Sequence, residues 1–174
     1  MDTTTLRALQ APLKERYRAD PDAAVVTLEA EGALDEENIA CSVATGRAVV
    51  EAGLHPATGG TGMLACSGDM LLEALVACAG VTLRSVATAL GIRVTGSVRA
   101  EGDLDFRGTL GMAKDEDVAV GFRVIRLAFD VQHDADQDRF AKLMELTERY
   151  CVVFQTLSCA VPVEIAVGAQ PPAP

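Results

Sequence analysis

Cysteines are the residues of this chain best suited to chemistry. There are five of them: Cys41, Cys66, Cys78, Cys151 and Cys159. The count is odd and no two form a CxxC pair, so neither a secreted disulfide framework nor a zinc site is indicated. A cysteine thiolate is a nucleophile that can be oxidised by peroxides, whereas a buried thiol is often only a small core residue. Composition alone leaves both interpretations open.

Other kinds of catalytic site have little support in the sequence. The chain has two histidines, His55 and His133, in separate segments that are poor in further ligands, so we predict no metal site. It lacks the G-x-x-x-x-G-K-[ST] phosphate loop, the G-x-S-x-G elbow and a G-x-G-x-x-G segment after a strand. We therefore expect no cofactor.

The charge of the chain argues against polyanionic partners. Asp and Glu number 25 against 15 Lys and Arg, a net charge of −10, which repels nucleic acid and anionic lipid. Residues 1–6 resemble no secretory signal, and the longest apolar stretch, residues 70–83, is interrupted by Glu73 and is too short to cross a bilayer. We expect a cytoplasmic protein that binds neither nucleic acid nor membranes.

The first third of the chain predicts a helical arm followed by strands. Apolar residues at helical spacing in residues 3–20 predict a helix that Pro12 kinks or divides in two. From residue 24 the apolar period becomes two, which predicts a hairpin of strands 26–30 and 39–43 and a third strand at 47–51. We divide the chain into an arm (1–22), a main domain (23–168) and a flexible tail (169–174).

The segment between Asp69 and Gly91 predicts the central helix. It is apolar on nearly every side, with Asp69 as a candidate N-cap and Gly91 as the C-terminal stop, so we expect it to be enclosed on most sides. Cys78 lies about two and a half turns after that cap, beyond the reach of the helix dipole. Its activation must come from neighbouring groups.

The rest of the chain alternates strands with one more helix. We predict strands at 94–101, 106–110, 122–131 and 161–167, and a helix capped by Asp136 or Asp138 with Cys151 near its end. After the arm, the predicted order is three strands, a buried helix, three strands, a helix and a strand. This order predicts an α+β fold with antiparallel sheets around a buried central helix.

Two motifs resemble those of the OsmC/Ohr family, the OsmC-like and organic hydroperoxide resistance proteins. Residues 69–78, DMLLEALVAC, resemble its nucleophile helix, in which a proline or an acid precedes L-L-x-A-L-x-x-C. Residues 151–157, CVVFQTL, resemble its C-P-V-x-x-T-L motif, and the cysteines lie 73 positions apart, 151 minus 78, as is typical there. With the glycine pair Gly59-Gly60, the resemblance covers residues 24–167.

The resemblance implies an intertwined homodimer with active sites at the subunit interface, and it implies a reaction. The Cys78 thiolate would attack the O–O bond of an organic hydroperoxide and become a sulfenic acid. Cys151 would then condense with it to a disulfide, which an external thiol or dithiol reduces. The protein is thus expected to be a thiol-dependent peroxidase.

The sequence departs from the family in the charged groups around the thiolate. The family has an arginine after the first strand and a glutamate at the head of the nucleophile helix, but residues 31–38 contain no arginine. Asp69 is the candidate substitute for the glutamate. Arg47 is the nearest cation by sequence, and the others are Arg16, Arg18 and Arg84.

Further departures leave alternatives open. Val152 replaces the usual proline, which we expect to change backbone restriction more than chemistry. Cys66 and Cys159 are alternative resolving thiols, although packing is the simpler role for both. The rival functions are an OsmC-like dimer that binds a small apolar ligand and a purely structural protein. The missing arginine favours the first rival, whereas the two retained cysteines favour the peroxidase.

Overall fold

The computed structural model describes residues 2–20, 32–34, 40–44, 49–111 and 120–165. Helix α1 (Thr3–Ala19) confirms the predicted helical arm. Pro12 lies inside this helix and does not divide it in two. The carboxylate of Asp2 accepts a hydrogen bond from the Thr5 N–H and caps it. The Thr3 hydroxyl donates to the Thr88 carbonyl at 2.8 Å, so the arm is attached to the main domain at its first turn.

A three-stranded antiparallel sheet follows the arm. Its strands are β1 (Gly32–Leu34), β2 (Ala40–Ala44) and β3 (Val49–Gly53), in the order β1-β2-β3. They confirm the two strands predicted near 39–43 and 47–51, while the strand predicted at 26–30 lies outside the described residues. A parallel bridge between Ala52 and Ala65 then attaches the start of the central helix to this sheet.

Helix α2 (Ser67–Leu90) is the predicted central helix. It ends as expected at Gly91, whose φ of 66° is a left-handed conformation that favours glycine. Its N-cap is Cys66 rather than Asp69, so the capping role predicted for Asp69 is wrong. Asp69 instead lies in the first turn, where a carboxylate is favourable next to the positive end of the helix dipole.

One stripe of α2 is buried among the described residues. Leu75, Ala79, Leu83 and Ala87 recur every four residues and are the buried ones, whereas Val81 is 71% exposed. The expectation of a helix enclosed on most sides is therefore not met by the part of the chain that the structure describes. The expectation that the apolar stretch 70–83 is too short to cross a bilayer is wrong, because among the described residues α2 is the one helix long and apolar enough to do so; core helices of soluble proteins meet the same criterion.

The second sheet is a long antiparallel pair, β4 (Val94–Leu104) and β5 (Phe122–His133). Between them the strand predicted at 106–110 is wrong, because residues 106–109 form the short helix α3 (Phe106–Thr109). Its cap is Asp105, whose carboxylate accepts a hydrogen bond from the Arg107 N–H and starts a helical turn.

Two helices complete the fold. Asp136 caps α4 (Gln137–Tyr150), as one of the two predicted alternatives, and α5 (Val152–Ser158), which was not predicted, follows at once. Residues 161–165 form no strand in the structure, so that prediction is wrong for the described part of 161–167. The core lies where α2, β4 and α4 meet, and it contains Leu83, Ala87, Ile92, Val94 and Leu143. The α+β class with antiparallel pairing is confirmed.

Candidate active site

The structure brings Cys78 and Cys151 together. Cys78 is half-buried in the middle of α2, and Cys151 is 1% exposed at the junction of α4 and α5. The two side chains are close enough for each to shift the pKa of the other. Two thiols that are 73 positions apart in the sequence are thus neighbours in the fold.

Cys151 owes its position to a tight turn between two helices. Its N–H donates to the Thr147 carbonyl and closes α4, while its own carbonyl accepts from the Gln155 N–H and opens α5. Its backbone is extended at this point, with φ −75° and ψ 103°. The buried Thr147 lies one turn earlier on α4, so the turn holds the thiol against the core.

The surroundings of Cys78 favour its thiolate. Burial is the largest single influence and raises the pKa of the thiol, but four hydrogen bonds oppose it: those from the Val153 N–H, the Cys151 thiol, the Val152 N–H and the Thr82 hydroxyl. Together they hold the pKa of Cys78 below its ordinary value. The sulfur is therefore activated by uncharged donors.

Cys151 has the opposite tendency. Burial raises the pKa of its thiol most strongly, and the hydrogen bond and negative charge of Cys78 raise it further. The N–H groups of Phe154 and Val153 lower it, yet the net pKa is raised. Cys78 ionises first and Cys151 keeps its proton, so the two sulfurs are suited to the roles of attacking thiolate and neighbouring thiol.

Helix α5 supplies backbone donors that the sequence did not reveal. The first N–H groups of any helix have no carbonyl partner within it, and those of Val152, Val153 and Phe154 meet the two sulfurs instead. The expectation that Val152 in place of proline changes backbone restriction more than chemistry stays a prediction, although the Val152 N–H, which a proline would lack, is among the groups that lower the pKa of Cys78.

Asp69 lies away from this pair of cysteines. It precedes Cys78 by nine residues, which places it on the opposite side of α2 and about 13 Å along the helix axis. It is exposed and lines a different cavity of about 260 Å³ that also contains His55 and Cys66. The catalytic role of Asp69 stays a prediction.

The candidate arginines are also accounted for. Arg47 lies outside the described residues. Arg84 donates to the Val94 carbonyl at 2.7 Å, and Arg16 and Arg18 are exposed on α1. Within the part of the chain that the structure describes, the groups that hydrogen-bond to the Cys78 sulfur carry no positive charge.

Neither alternative resolving thiol is as well placed as Cys151. Cys66 caps α2 twelve residues before Cys78, about 18 Å along the axis. Cys159 is exposed beyond the end of α5. The Cys41 side chain lies outside the described residues.

A cavity of about 280 Å³ opens beside Cys151. Apart from the carboxylate of Glu148 and the Thr147 hydroxyl, its side chains are apolar. It is lined by Ala79, Leu127, Phe129, Met144, Thr147, Glu148, Cys151 and Phe154. It is large enough for a small organic molecule and has little to offer a strongly charged one.

Comparisons with solved structures identify the fold. An OsmC-like protein from Mycoplasma pneumoniae is 15% identical, with 78% of this chain and 89% of that chain covered and a TM-score of 0.63. An organic hydroperoxide resistance protein from Legionella pneumophila, described as a predicted redox protein and regulator of sulfide bond formation, is 18% identical, with 77% and 90% covered and a TM-score of 0.56. An OsmC-like protein of unknown function from Vibrio cholerae is 13% identical, with 76% and 94% covered and a TM-score of 0.54.

Sequence comparison gives the family directly. No curated protein matches the chain. A sequence profile described as OsmC-like protein matches residues 60–166, which is more than half of the chain and includes both Cys78 and Cys151. The predicted resemblance is thus confirmed: the chain belongs to the OsmC-like protein family.

Proposed function

We propose that the protein is a thiol-dependent peroxidase that reduces organic hydroperoxides with Cys78 as the attacking residue. The observation that carries this proposal is the contact between two thiols whose pKa values are shifted in opposite directions. A peroxide needs a thiolate as its nucleophile, and the resulting sulfenic acid needs a second thiol within reach. The pair meets both requirements.

The proposed cycle balances with these two residues and an external dithiol. The Cys78 thiolate attacks the terminal oxygen of the hydroperoxide, so that an S–O bond forms, the O–O bond breaks and an alkoxide leaves. The alkoxide takes the proton of the Cys151 thiol and becomes an alcohol. The Cys151 thiolate then attacks the sulfenic sulfur, an S–S bond forms, and hydroxide leaves as water after taking a solvent proton. The external dithiol reduces the disulfide and is itself oxidised.

The cavity supports an organic rather than an inorganic peroxide. Its lining is mainly aliphatic and aromatic, and it includes Cys151, the neighbour of Cys78, and Ala79, the residue after Cys78. An alkyl or aryl group held there would gain contact area that hydrogen peroxide lacks. We expect cumene hydroperoxide to react faster than hydrogen peroxide.

The decisive experiment is to treat the reduced protein with one equivalent of cumene hydroperoxide and map any disulfide by mass spectrometry. We expect a Cys78–Cys151 disulfide in the wild type and in the control Cys159→Ser, but not in Cys78→Ser or Cys151→Ser. Thiols that stay reduced, or that react no faster than free cysteine, would overturn the proposal.

We also propose that the working unit is a homodimer. Two apolar surfaces support a second copy of the chain as the partner. One is the flank of α2 around Val81, and the other is the extended segment 161–165, where Val163 is 86% and Ile165 is 89% exposed. An extended segment with alternating apolar residues is suited to pairing with a sheet edge. Light scattering during size-exclusion chromatography should give twice the mass of the chain, and a monomer mass at micromolar concentration would contradict this.

An OsmC-like protein that binds a small apolar ligand without peroxidase activity is the second candidate. The observation that favours it is the apolar cavity next to a thiolate whose described hydrogen-bond donors include no cation. Titration with cumyl alcohol, which has the same aryl group but no O–O bond, separates the two functions. Tight binding of the alcohol together with an unreactive Cys78 would favour the binding protein.

A further inference from the structure

Two cavities adjoin each other along one side of α2. The cavity of about 280 Å³ beside Cys151 is bordered on this helix by Ala79, and a second cavity of about 420 Å³ is bordered by Leu75, one turn earlier. Strand β5 gives the same order, because the second cavity is lined by residues within 122–127 and Leu127 lines both. The second cavity therefore continues the space that begins beside the cysteines.

Phe154 and Leu127 are the residues that the two linings share in the described part of the chain. Phe154 lies in the first turn of α5, three residues after Cys151, and is half-buried. Leu127 belongs to β5, so the boundary is built from two different elements. A side chain that lines two adjoining cavities is part of the wall between them, and the larger of these two side chains is the ring of Phe154.

The second cavity is suited to an unbranched alkyl chain. Apart from Arg123 and Ser158, its lining consists of leucine, isoleucine, valine and phenylalanine side chains. A chain that entered it from the side of Cys151 would bury apolar surface along its length. A compact aryl group does not need this space, because the first cavity is itself large enough for a small organic molecule.

We propose that Phe154 is a specificity-determining residue, whose ring closes the boundary between the two cavities and limits the length of the alkyl group held beside the cysteines. This inference rests on the proposed peroxidase function and deepens it, because it names compact aryl or branched alkyl hydroperoxides as the preferred substrates. Long unbranched hydroperoxides would need the second cavity. The ring takes no part in making or breaking bonds, so the proposed cycle is unchanged.

A matched set of variants tests this role. Phe154→Ala removes the ring from the boundary and keeps the backbone N–H that lowers the pKa of Cys151. Phe129→Ala removes an identical ring that lines the first cavity but not the second, so it adds volume without opening the boundary. Circular dichroism shows whether each variant is folded. If Phe154→Ala does not fold, Phe154→Leu takes its place as the smaller change.

The probes are straight-chain primary alcohols from hexanol to decanol, which have no O–O bond and leave the thiols reduced. Isothermal titration calorimetry gives the dissociation constant of each alcohol. In the wild type and in Phe129→Ala, the affinity should stop rising once the chain is long enough to reach the boundary. In Phe154→Ala it should continue to rise, by roughly threefold for each added methylene group.

The same comparison applies to the reaction. The probes are decyl hydroperoxide and cumene hydroperoxide, and the readout is the ratio of their kcat/KM values. This ratio should rise about tenfold or more in Phe154→Ala, since several methylene groups gain a place in the second cavity, and should stay near the wild-type value in Phe129→Ala.

The outcomes separate this inference from the proposed function. Affinities that depend on chain length in the same way in the wild type and in Phe154→Ala would overturn the role of Phe154. An equal gain in Phe129→Ala would overturn it too, because added volume would then be the cause, and so would a failure of every alcohol to bind. Alcohol binding in the expected pattern, with thiols that neither hydroperoxide oxidises, would instead overturn the peroxidase function and leave Phe154 as the length-selecting residue of a binding site.

Discussion

At the scale of single residues, the two sulfurs differ in what surrounds them. Burial raises the pKa of both thiols, but Cys78 receives enough hydrogen bonds to reverse the effect, whereas Cys151 faces the charge of Cys78. In the proposed peroxidase cycle this asymmetry would set the order of events: Cys78, which ionises first, would attack, and Cys151, which keeps its proton, would supply that proton to the leaving group.

The asymmetry predicts the pH dependence of the peroxide reaction. The pKa of Cys78 is lowered, so its thiolate is present at lower pH than that of an ordinary cysteine. The rate constant for the first step should rise with pH and level off above the pKa of Cys78. Stopped-flow measurement of the first turnover should give a midpoint below that of free cysteine, and a midpoint at or above it would contradict the activation described here.

A second residue-scale prediction concerns the fate of the sulfenic acid. Cys151→Ser keeps a small donor beside Cys78 but removes the sulfur that condenses with it. After one equivalent of cumene hydroperoxide this variant should retain a sulfenic acid that dimedone labels at Cys78, while the wild type and Cys159→Ser should not. Equal labelling of the wild type would show that Cys151 does not resolve the intermediate.

At the scale of elements, α5 is the feature that shapes the site. It is seven residues long and begins directly after Cys151, which places the N–H groups of its first turn against both sulfurs. Such a short helix has no strong sequence signal, because nucleation is costly and its neighbours decide whether it forms. The caps at Asp136 and Gly91 were predicted correctly, but the cap predicted at Asp69 was wrong. Helix α3 was missed because the Asp105 cap outweighed an alternating pattern.

Val152→Pro isolates the contribution of one N–H group. Proline is tolerated at the first position of a helix, and the residue before it must be extended, as Cys151 already is with ψ 103°. Val152 is 70% exposed, so the ring has space. The variant should fold, yet the pKa of Cys78 should rise and its alkylation at neutral pH should slow about threefold.

The control for this substitution is Val152→Ala, which shortens the side chain and keeps the N–H. It should alkylate at the wild-type rate. If Val152→Pro and Val152→Ala behaved alike, the N–H of Val152 would not contribute to the thiolate, and the remaining donors would have to account for the lowered pKa.

At the scale of the whole molecule, the contact between Cys78 and Cys151 depends on the packing of α2 against α4 and α5. Periodicity and caps placed each cysteine on its element, but the spatial pairing of two residues 73 positions apart followed only from the family resemblance. The source of the thiolate's stabilisation was not predictable at all, because backbone N–H groups and the Thr82 hydroxyl carry no motif. A search for charged residues found Asp69, which the fold places elsewhere.

The exposed flank of α2 leads to the last prediction. A helix with this many apolar residues and a single buried stripe needs a second covering, and we propose that another copy supplies it. Val81→Asp places a charge on that flank in each copy and removes one buried valine from each. The loss of these two valines should by itself raise the dissociation constant of the dimer by roughly a hundredfold or more. Val120→Asp, at a valine that is 73% exposed outside this flank, is the matched control. Sedimentation velocity over a concentration series should show Val81→Asp dissociating where the wild type and Val120→Asp stay dimeric. A dimer that tolerates Val81→Asp would mean that the flank of α2 is not the interface, and that segment 161–165 would have to be tested in its place.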